Sequence, residues 1–418
     1  MFNVFVLLIV LVSTYLLFKR YLHHGDLFSR IFFCIIIFSL LLYSGVGASL
    51  VEVNSNYIYC YFVYIIFVYF GIKLSSGRRS SIKAICVENF ISNYAKIIIF
   101  CFVIFNCVAL IYPENKLLNL INPPSPDLKE AFAQRFINEN KPLLSSLVSF
   151  FLNFLQPFFY LSLYYYRDKW WKVGVLLIIL MYVSYCVTGY IGRGAILLNL
   201  FIFTSLLYLW YPKYRKRIII GALGILPFLL MFFVYYASIR IGGDGEILSM
   251  GKIFEFLLFS ESSYPLHFNI LYEREYFIQD AIDYCYWLIS LPFPISLNWG
   301  EFDFGVNYKI SELLLGISRG SSNFYVLLPG MIGEAYFVFR NFFWLHGLLY
   351  GIIIGFTYSI VKAKKVFYPI GIYLALILGY YCTRGGTSGA YPIILKQFLY
   401  LVIVIKLYQR YPLRFVIR

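Results

Sequence analysis

The chain has 418 residues, 61% hydrophobic and only 13% charged, with a mean hydropathy of +0.76. A soluble domain carries about 25% charged residues, so an ordinary soluble enzyme is excluded. The formal charge of +15 points first to nucleic acid. However, the basic residues gather in short loops between apolar blocks, and no basic helix interleaved with stacking aromatics occurs, which removes that partner.

Apolar runs of about 20 residues recur from end to end and are continuous rather than alternating. They predict an all-α polytopic membrane protein and argue against a β-barrel. Eleven transmembrane helices are expected, at about 2–18, 31–50, 57–73, 97–113, 143–166, 173–190, 195–211, 218–237, 341–361, 366–381 and 389–406. The first has no basic residues before it and no small-residue cleavage site, so it reads as a retained helix rather than a signal peptide. Lys19, Arg20 and Arg30 follow it and put its N-terminus outside. The basic stretches KLSSGRRSSIK (73–83) and KYRKR (213–217) then fall inside, and most carboxylates fall outside. The expected organisation is eight helices over 1–237, one large outer loop over 238–340, and three helices with a basic inner tail over 341–418.

The stretch 240–340 is neither plainly membrane-spanning nor a basic loop. It holds twelve of the twenty carboxylates and four arginines, Arg240, Arg274, Arg319 and Arg340. Its aromatic run YCYWLISLPFPISLNW (284–299) is short for a span and broken by Pro292 and Pro294. An interfacial or re-entrant element is expected there, with Trp287 and Trp299 at the headgroup level.

Arginines on the outer face need a reason, because positive-inside bias depletes them there. Arg193, Arg240, Arg319, Arg340 and Arg384 all lie near apolar segments. A guanidinium offers a planar fork of donors that suits phosphate; the structural alternative is an arginine that snorkels to headgroups or pairs with a nearby carboxylate. Gly192 and Gly194 flank Arg193, Gly320 follows Arg319, and Gly385 and Gly386 follow Arg384. Glycines allow close backbone approach to an anion.

Glu334 sits in the apolar run MIGEAYFVF. A carboxylate at such depth is costly and is usually paired or functional. It is a candidate general base, or else a salt-bridge partner of Arg340 or Arg319. His267 is the second candidate base. The four histidines form no pair at helical spacing on the outer side, and the acidic pairs Asp280/Asp283 and Glu301/Asp303 read first as solvated loop. No metal and no cofactor is expected. The eight cysteines show no CxxC pair, and a bridge between Cys285 and Cys382 is open on topology alone.

With these residues in view, the chain resembles the Wzy-type O-antigen polymerases, the oligosaccharide repeat-unit polymerases of bacterial inner membranes. The likeness covers most of the chain as architecture: length, many spans, and one dominant loop in the C-terminal half. It also covers two local features. TGYIGRGAILLNLF (188–201) is similar to the family's Gly-Arg-Gly turn, and GEAYFVFRNFFWLHGLLYGIIIGF (333–356) to its Gly-Glu-aromatic element. Arg240, Arg319 and Arg340 each have glycine eleven positions later, as in some members. Arg193 has Thr204 at that spacing instead, and Val338-Phe339-Arg340 replaces the family's usual Asn-Phe-Gly.

The resemblance implies a membrane glycosyltransferase, GT-C-like in fold. It would join undecaprenyl-pyrophosphate-linked glycans at the periplasmic face of the inner membrane, without metal or nucleotide sugar. It implies the lipid bilayer and a chain-length regulator protein as further partners. Glu334 or His267 would take a proton, and Arg319 would face the departing pyrophosphate. Arg193, Arg240, Arg274, Arg340, Arg384 and Tyr336 would bind substrate. An O-antigen ligase and a lipid-linked oligosaccharide flippase are the alternatives. The ligase's His-Asn motif is not clean at His267-Phe268-Asn269, and the long loop argues against a flippase.

Overall fold

The computed structural model describes residues 4–46, 55–77, 82–111, 143–188, 193–241, 264–278, 281–292, 306–318, 321, 324, 326–362 and 364–411. The side chains of 183–195 and 232–241 are outside that description. Among the described residues there is no strand. This is what a bilayer demands, since a helix satisfies every backbone N–H and C=O within its own segment.

In chain order the helices are α1 (Val4–His23), α2 (Leu27–Leu40), α3 (Ser55–Ser76), α4 (Ala84–Ile111), α5 (Leu143–Ser162), α6 (Trp170–Thr188), α7 (Arg193–Trp210) and α8 (Arg215–Ile241). Four ten-residue helices follow: α9 (Tyr264–Glu273), α10 (Ala281–Ser290), α11 (Val306–Leu315) and α12 (Gly330–Phe339). Then come α13 (Phe343–Val361), α14 (Tyr368–Leu376), α15 (Cys382–Gly385), α16 (Thr387–Pro392) and α17 (Leu399–Arg410). Wide π-type turns continue α2 over Leu41–Val46, join α14 to α15 over Ile377–Tyr381, and join α16 to α17 over Ile393–Phe398.

Each of the eleven apolar segments is helical over its described residues. Seven stretches are long and apolar enough to cross a membrane, and an eighth if α7 and α8, bent by 111° at Pro212, count as one. The chain is a multi-pass membrane protein. One boundary differs from expectation. The helix predicted from 341 reaches back to Gly330, because residues 330–338 are apolar and buried. Glu334 therefore lies within a helix, not ahead of one. The run at 284–299 supplies only the ten-residue α10, too short to span; residues 293–299 lie outside the described set.

The chain divides into two compact units. The first comprises Met1–Lys83, Leu258–Lys364 and Leu374–Lys406. Its spine is the pair α3 and α13. Gly347, Gly351 and Gly355 recur every four residues and face α3, where Gly71 answers them. A β-carbon at Gly347 would lie 2.9 Å from the Tyr64 carbonyl, and one at Gly351 would run into the Val68 carbonyl. Small residues let the backbones touch, which is how helices gain packing energy in lipid. Hydroxyl bonds tie the other helices in: Thr14 with Tyr61 at 2.8 Å, Tyr358 to Ser29 at 2.7 Å, and Tyr350 to the Leu378 carbonyl at 2.6 Å.

The second unit comprises Ala84–Leu257, Lys365–Tyr373 and Leu407–Arg418. Its interior is aromatic. Phe102 stacks on Phe159 at 4.5 Å and Tyr160 on Tyr373 at 4.1 Å, while the Tyr160 hydroxyl donates to Asn199 Oδ1 at 3.0 Å.

Candidate functional site: a broken helix closed by a buried carboxylate

The helix of residues 365–410 is interrupted once, at Gly386. That residue has φ +74 and ψ −170, a conformation that in practice only glycine adopts. A break inside an apolar helix strands backbone groups: α16 begins with unpaired N–H donors and α15 ends with unpaired carbonyls. Side chains from elsewhere in the first unit satisfy them. Glu334 Oε2 accepts from the Thr387 backbone N–H at 2.8 Å, and Glu334 Oε1 accepts from the Thr387 hydroxyl. Asn307 Nδ2 donates to the Gly385 carbonyl. Glu334 thus caps a helix it does not belong to, and α16 offers it the positive end of a helix dipole. The approach is so close that a β-carbon on Gly386 would overlap the carboxylate.

Glu334 has no solvent exposure at all, and neither has His346. His346 Nε2 lies 3.7 Å from Glu334 Oε1. Its Nδ1 lies 3.1 Å from the Tyr64 hydroxyl. The Tyr284 hydroxyl donates to Thr387 Oγ1 at 2.9 Å and lies 3.4 Å from His346 Nε2. Five side chains therefore form one sealed polar node. Burial, and after it the Glu334 charge, pushes the Tyr284 phenol well up, so it remains a donor. Such a node stands only when nearly every member is satisfied, because a bare buried charge costs several kcal/mol. One atom beside it, Asn307 Oδ1, is buried and unpartnered.

A second layer lies against the break and is not sealed. Arg384, half-buried, donates from Nε to the Tyr264 hydroxyl and from Nη1 to the Tyr380 hydroxyl, both at 2.9 Å. The Tyr43 ring packs edge-on against both tyrosines at 5.8 Å. His267 lies one turn beyond Tyr264 on α9, hence on the same face. Its Nδ1 is 2.7 Å from the Leu328 carbonyl. A carbonyl can only accept, so Nδ1 carries the proton and neutral His267 keeps the lone pair on Nε2. Burial lowers the His267 pKa and so favours the neutral, basic form of the ring, opposed in part by the Leu328 bond. The Leu328 side chain also reaches the Gly385 position. Two of the three π-type turns flank Gly386 and the third carries Tyr43. Such turns gather at functional sites.

Three residues expected from the sequence, Glu334, His267 and Arg384, thus surround one break. Others lie elsewhere. Arg340, with φ 47, pairs with Glu275 at 3.7 Å and sits over the Phe277 ring at 4.3 Å. The alternative role for Glu334, an ion pair with Arg340, is therefore not formed, and Thr387 and His346 neighbour it instead; the other partner considered, Arg319, lies outside the described residues. Arg274 is exposed. Tyr336 is buried among rings, with Phe268 and Tyr272 each at 5.4 Å. Arg193 opens α7 and Arg240 lies in the last turn of α8, but their side chains, like all of Arg319, fall outside the described residues. Asp280, Glu301 and Asp303 do too. Cys382 is fully buried against Met331 Sδ at 3.5 Å and Cys285 is exposed; both are free thiols, so the bridge between them is not formed.

The sequence reading missed His346, Tyr64, Tyr284, Thr387 and Asn307. Only His346 carried a signal, an ionisable side chain in an apolar run twelve residues after Glu334. No protein-family model, no characterised sequence and no solved structure matches this chain.

Proposed function

We propose that the chain polymerises lipid-linked oligosaccharide repeat units at a bacterial inner membrane, with its site on the periplasmic side. The observation that carries this reading is the placement beside the helix break of Arg384, bonded to Tyr264, and of His267, one turn further along α9 and bonded to the Leu328 carbonyl. The reaction needs two things of the protein, a base and a counter-charge. His267 Nε2 takes the proton from a hydroxyl of the incoming unit. That oxygen attacks the anomeric carbon of the growing chain. The bond from that carbon to the lipid pyrophosphate breaks, and the pyrophosphate leaves with the electron pair. Arg384 faces the charge that develops on it. Arg319 is a further pyrophosphate contact in this proposal. Glu334 does not act as the base here, because its oxygens already accept from Thr387. It is a positioning residue that holds the break open for Arg384.

The test is elongation by purified protein supplied with an undecaprenyl-pyrophosphate-linked repeat unit, in EDTA. The expected result is a glycan ladder. Losing a comparable transition-state donor costs roughly 2.7–4 kcal/mol. Arg384→Ala should therefore lower turnover by on the order of a hundredfold or more. Arg384→Lys should give shortened chains, since it keeps charge without the fork. Full-length glycan from Arg384→Lys, or loss of activity in EDTA restored by Mg²⁺, refutes the corresponding part.

The second reading is a lipid-linked oligosaccharide transporter. What favours it is the broken helix beside an intramembrane carboxylate and histidine, an arrangement ion-coupled carriers use. Surface glycan from a deletion strain separates the two. A missing polymerase leaves core plus one repeat, and a missing flippase leaves bare core.

A further inference from the structure

The second unit carries a feature that the proposed chemistry does not use. Two turns connect apolar helices, 163–169 between α5 and α6 and 211–214 between α7 and α8. The Tyr211 hydroxyl donates to the Arg167 carbonyl and joins them. Arg167, Lys169 and Lys172 lie on one side of that bond, and Arg215, Lys216 and Arg217 on the other. Among the described residues none of these six pairs with a carboxylate. Asp168 is the one acid in the two turns.

Aromatic rings hold the cations in place. Arg167 sits 4.4 Å from the Tyr164 ring, Lys172 5.2 Å from Tyr166, and Arg215 5.1 Å from Tyr208, whose carbonyl it also engages from Nε at 3.1 Å. A cation parked on a ring has already given up much of its rotamer freedom, yet its charge remains available. Beside them Trp170 and Trp171 are more than half exposed, at 56% and 55%. Exposed tryptophans next to apolar helices belong at the headgroup level of a bilayer. Unpaired, pre-positioned cations at that level match one ligand chemistry, the phosphodiester of a lipid headgroup.

We infer that the two joined turns form a binding site for anionic phospholipid headgroups. The site is independent of the polymerase reading and requires no residue of the first unit. Each basic residue near a membrane surface contributes about fivefold to anionic-lipid affinity, so removing three should weaken selection on the order of a hundredfold.

The test uses the full chain in nanodiscs with bromine-tailed lipids, which quench nearby tryptophan. Trp170→Phe/Trp171→Phe assigns the signal by difference. Brominated phosphatidylglycerol should displace phosphatidylcholine from the tryptophans at a low mole fraction, and this preference should collapse in Arg167→Gln/Lys172→Gln/Arg215→Gln. A Lys/Arg exchange at the same positions should keep most of it. Screening supplies an arm that needs no variant. Raising NaCl from 0.1 to 1 M shortens the Debye length from about 10 Å to about 3 Å and should erase the preference in the wild type. Inorganic phosphate at millimolar concentration should not compete, because it lacks a bilayer to hold it there; competition by phosphate would identify a soluble anion instead. Equal quenching by the two lipids in wild type, or a preference indifferent to salt, overturns the site.

Discussion

Two carboxylates of the first unit lie 3.7 Å from a basic side chain, Glu334 from His346 and Glu275 from Arg340. The separation is the same and the environment is opposite. The first pair has no exposure on either side chain, and the second is 72% exposed on Glu275 and 45% on Arg340. In water the second pair gains little, since two long side chains must be ordered for a screened attraction. In the sealed node the Glu334 side chain cannot be removed without leaving buried donors unsatisfied. Distance alone therefore says nothing about what a pair does. What surrounds it decides, and only Glu334 also terminates a helix.

The largest expected effect is on Glu334. Glu334→Ala removes the acceptor for both the Thr387 N–H and the Thr387 hydroxyl and empties the space beside His346. Leaving two buried donors without an acceptor costs about 1–3 kcal/mol each. Thermal unfolding in detergent should fall accordingly. Glu334→Gln keeps one acceptor oxygen and should retain a folded protein with a weakened break. Unchanged melting of Glu334→Ala would remove the argument that the node holds the break.

Gly386→Ala comes next. The positive φ costs a non-glycine residue about 1–3 kcal/mol, and the methyl also displaces the Glu334 carboxylate. The variant should melt lower and elongate poorly. An Ala variant that melts and elongates like wild type would mean the break is not held in this geometry.

How much of this was readable beforehand differs between residues. The apolar segments were, because a bilayer imposes a length and a composition that no soluble helix needs. Glu334 stood out for the same reason, as a carboxylate in an apolar run. Its partners did not, because Thr387 lies 53 residues away and reaches it only through the fold. Gly385 and Gly386 were legible as a place of close approach, and at Gly386 the side chain that approaches is Glu334. Arg274, Arg340 and Arg384 gave one signal, an arginine near an apolar segment. One is exposed, one pairs at the surface, and one is held by two tyrosines. Sequence position cannot separate them, since the tyrosine hydroxyl from α9 arrives from 120 residues upstream.

A smaller effect is expected from pH at His267. Burial lowers its pKa from the ordinary 6.5. The unfolded chain then binds the proton at a higher pH than the folded one. The stability that neutral His267 contributes is complete above 6.5 and is lost as pH falls through the lowered folded value. Elongation should follow the same protonation, holding its plateau below pH 6.5 before it declines. Initial rates across pH test this, and an acid limb centred at or above 6.5 would count against His267 as the base.

The smallest effect is expected at the surface pair, and it is the sharpest check on the comparison. Glu275→Gln removes the charge and leaves the shape. An exposed pair of this kind contributes about 0–1 kcal/mol, and Arg340 keeps its place over the Phe277 ring without it. Melting should barely move. The backbone matters more than the charge at this position. Glu275 has φ 50 and Arg340 φ 47, both in the left-handed region that side chains avoid. Glu275→Gly relieves that strain, about 1–2 kcal/mol, against about 0.5–1 kcal/mol of added freedom in the unfolded chain. Glycine should therefore be neutral to slightly stabilising, although it deletes the carboxylate altogether. If Glu275→Gln instead lowers melting as far as Glu334→Gln does, burial is not what distinguishes the two pairs. The special standing given to the node around Glu334 would then fall with it.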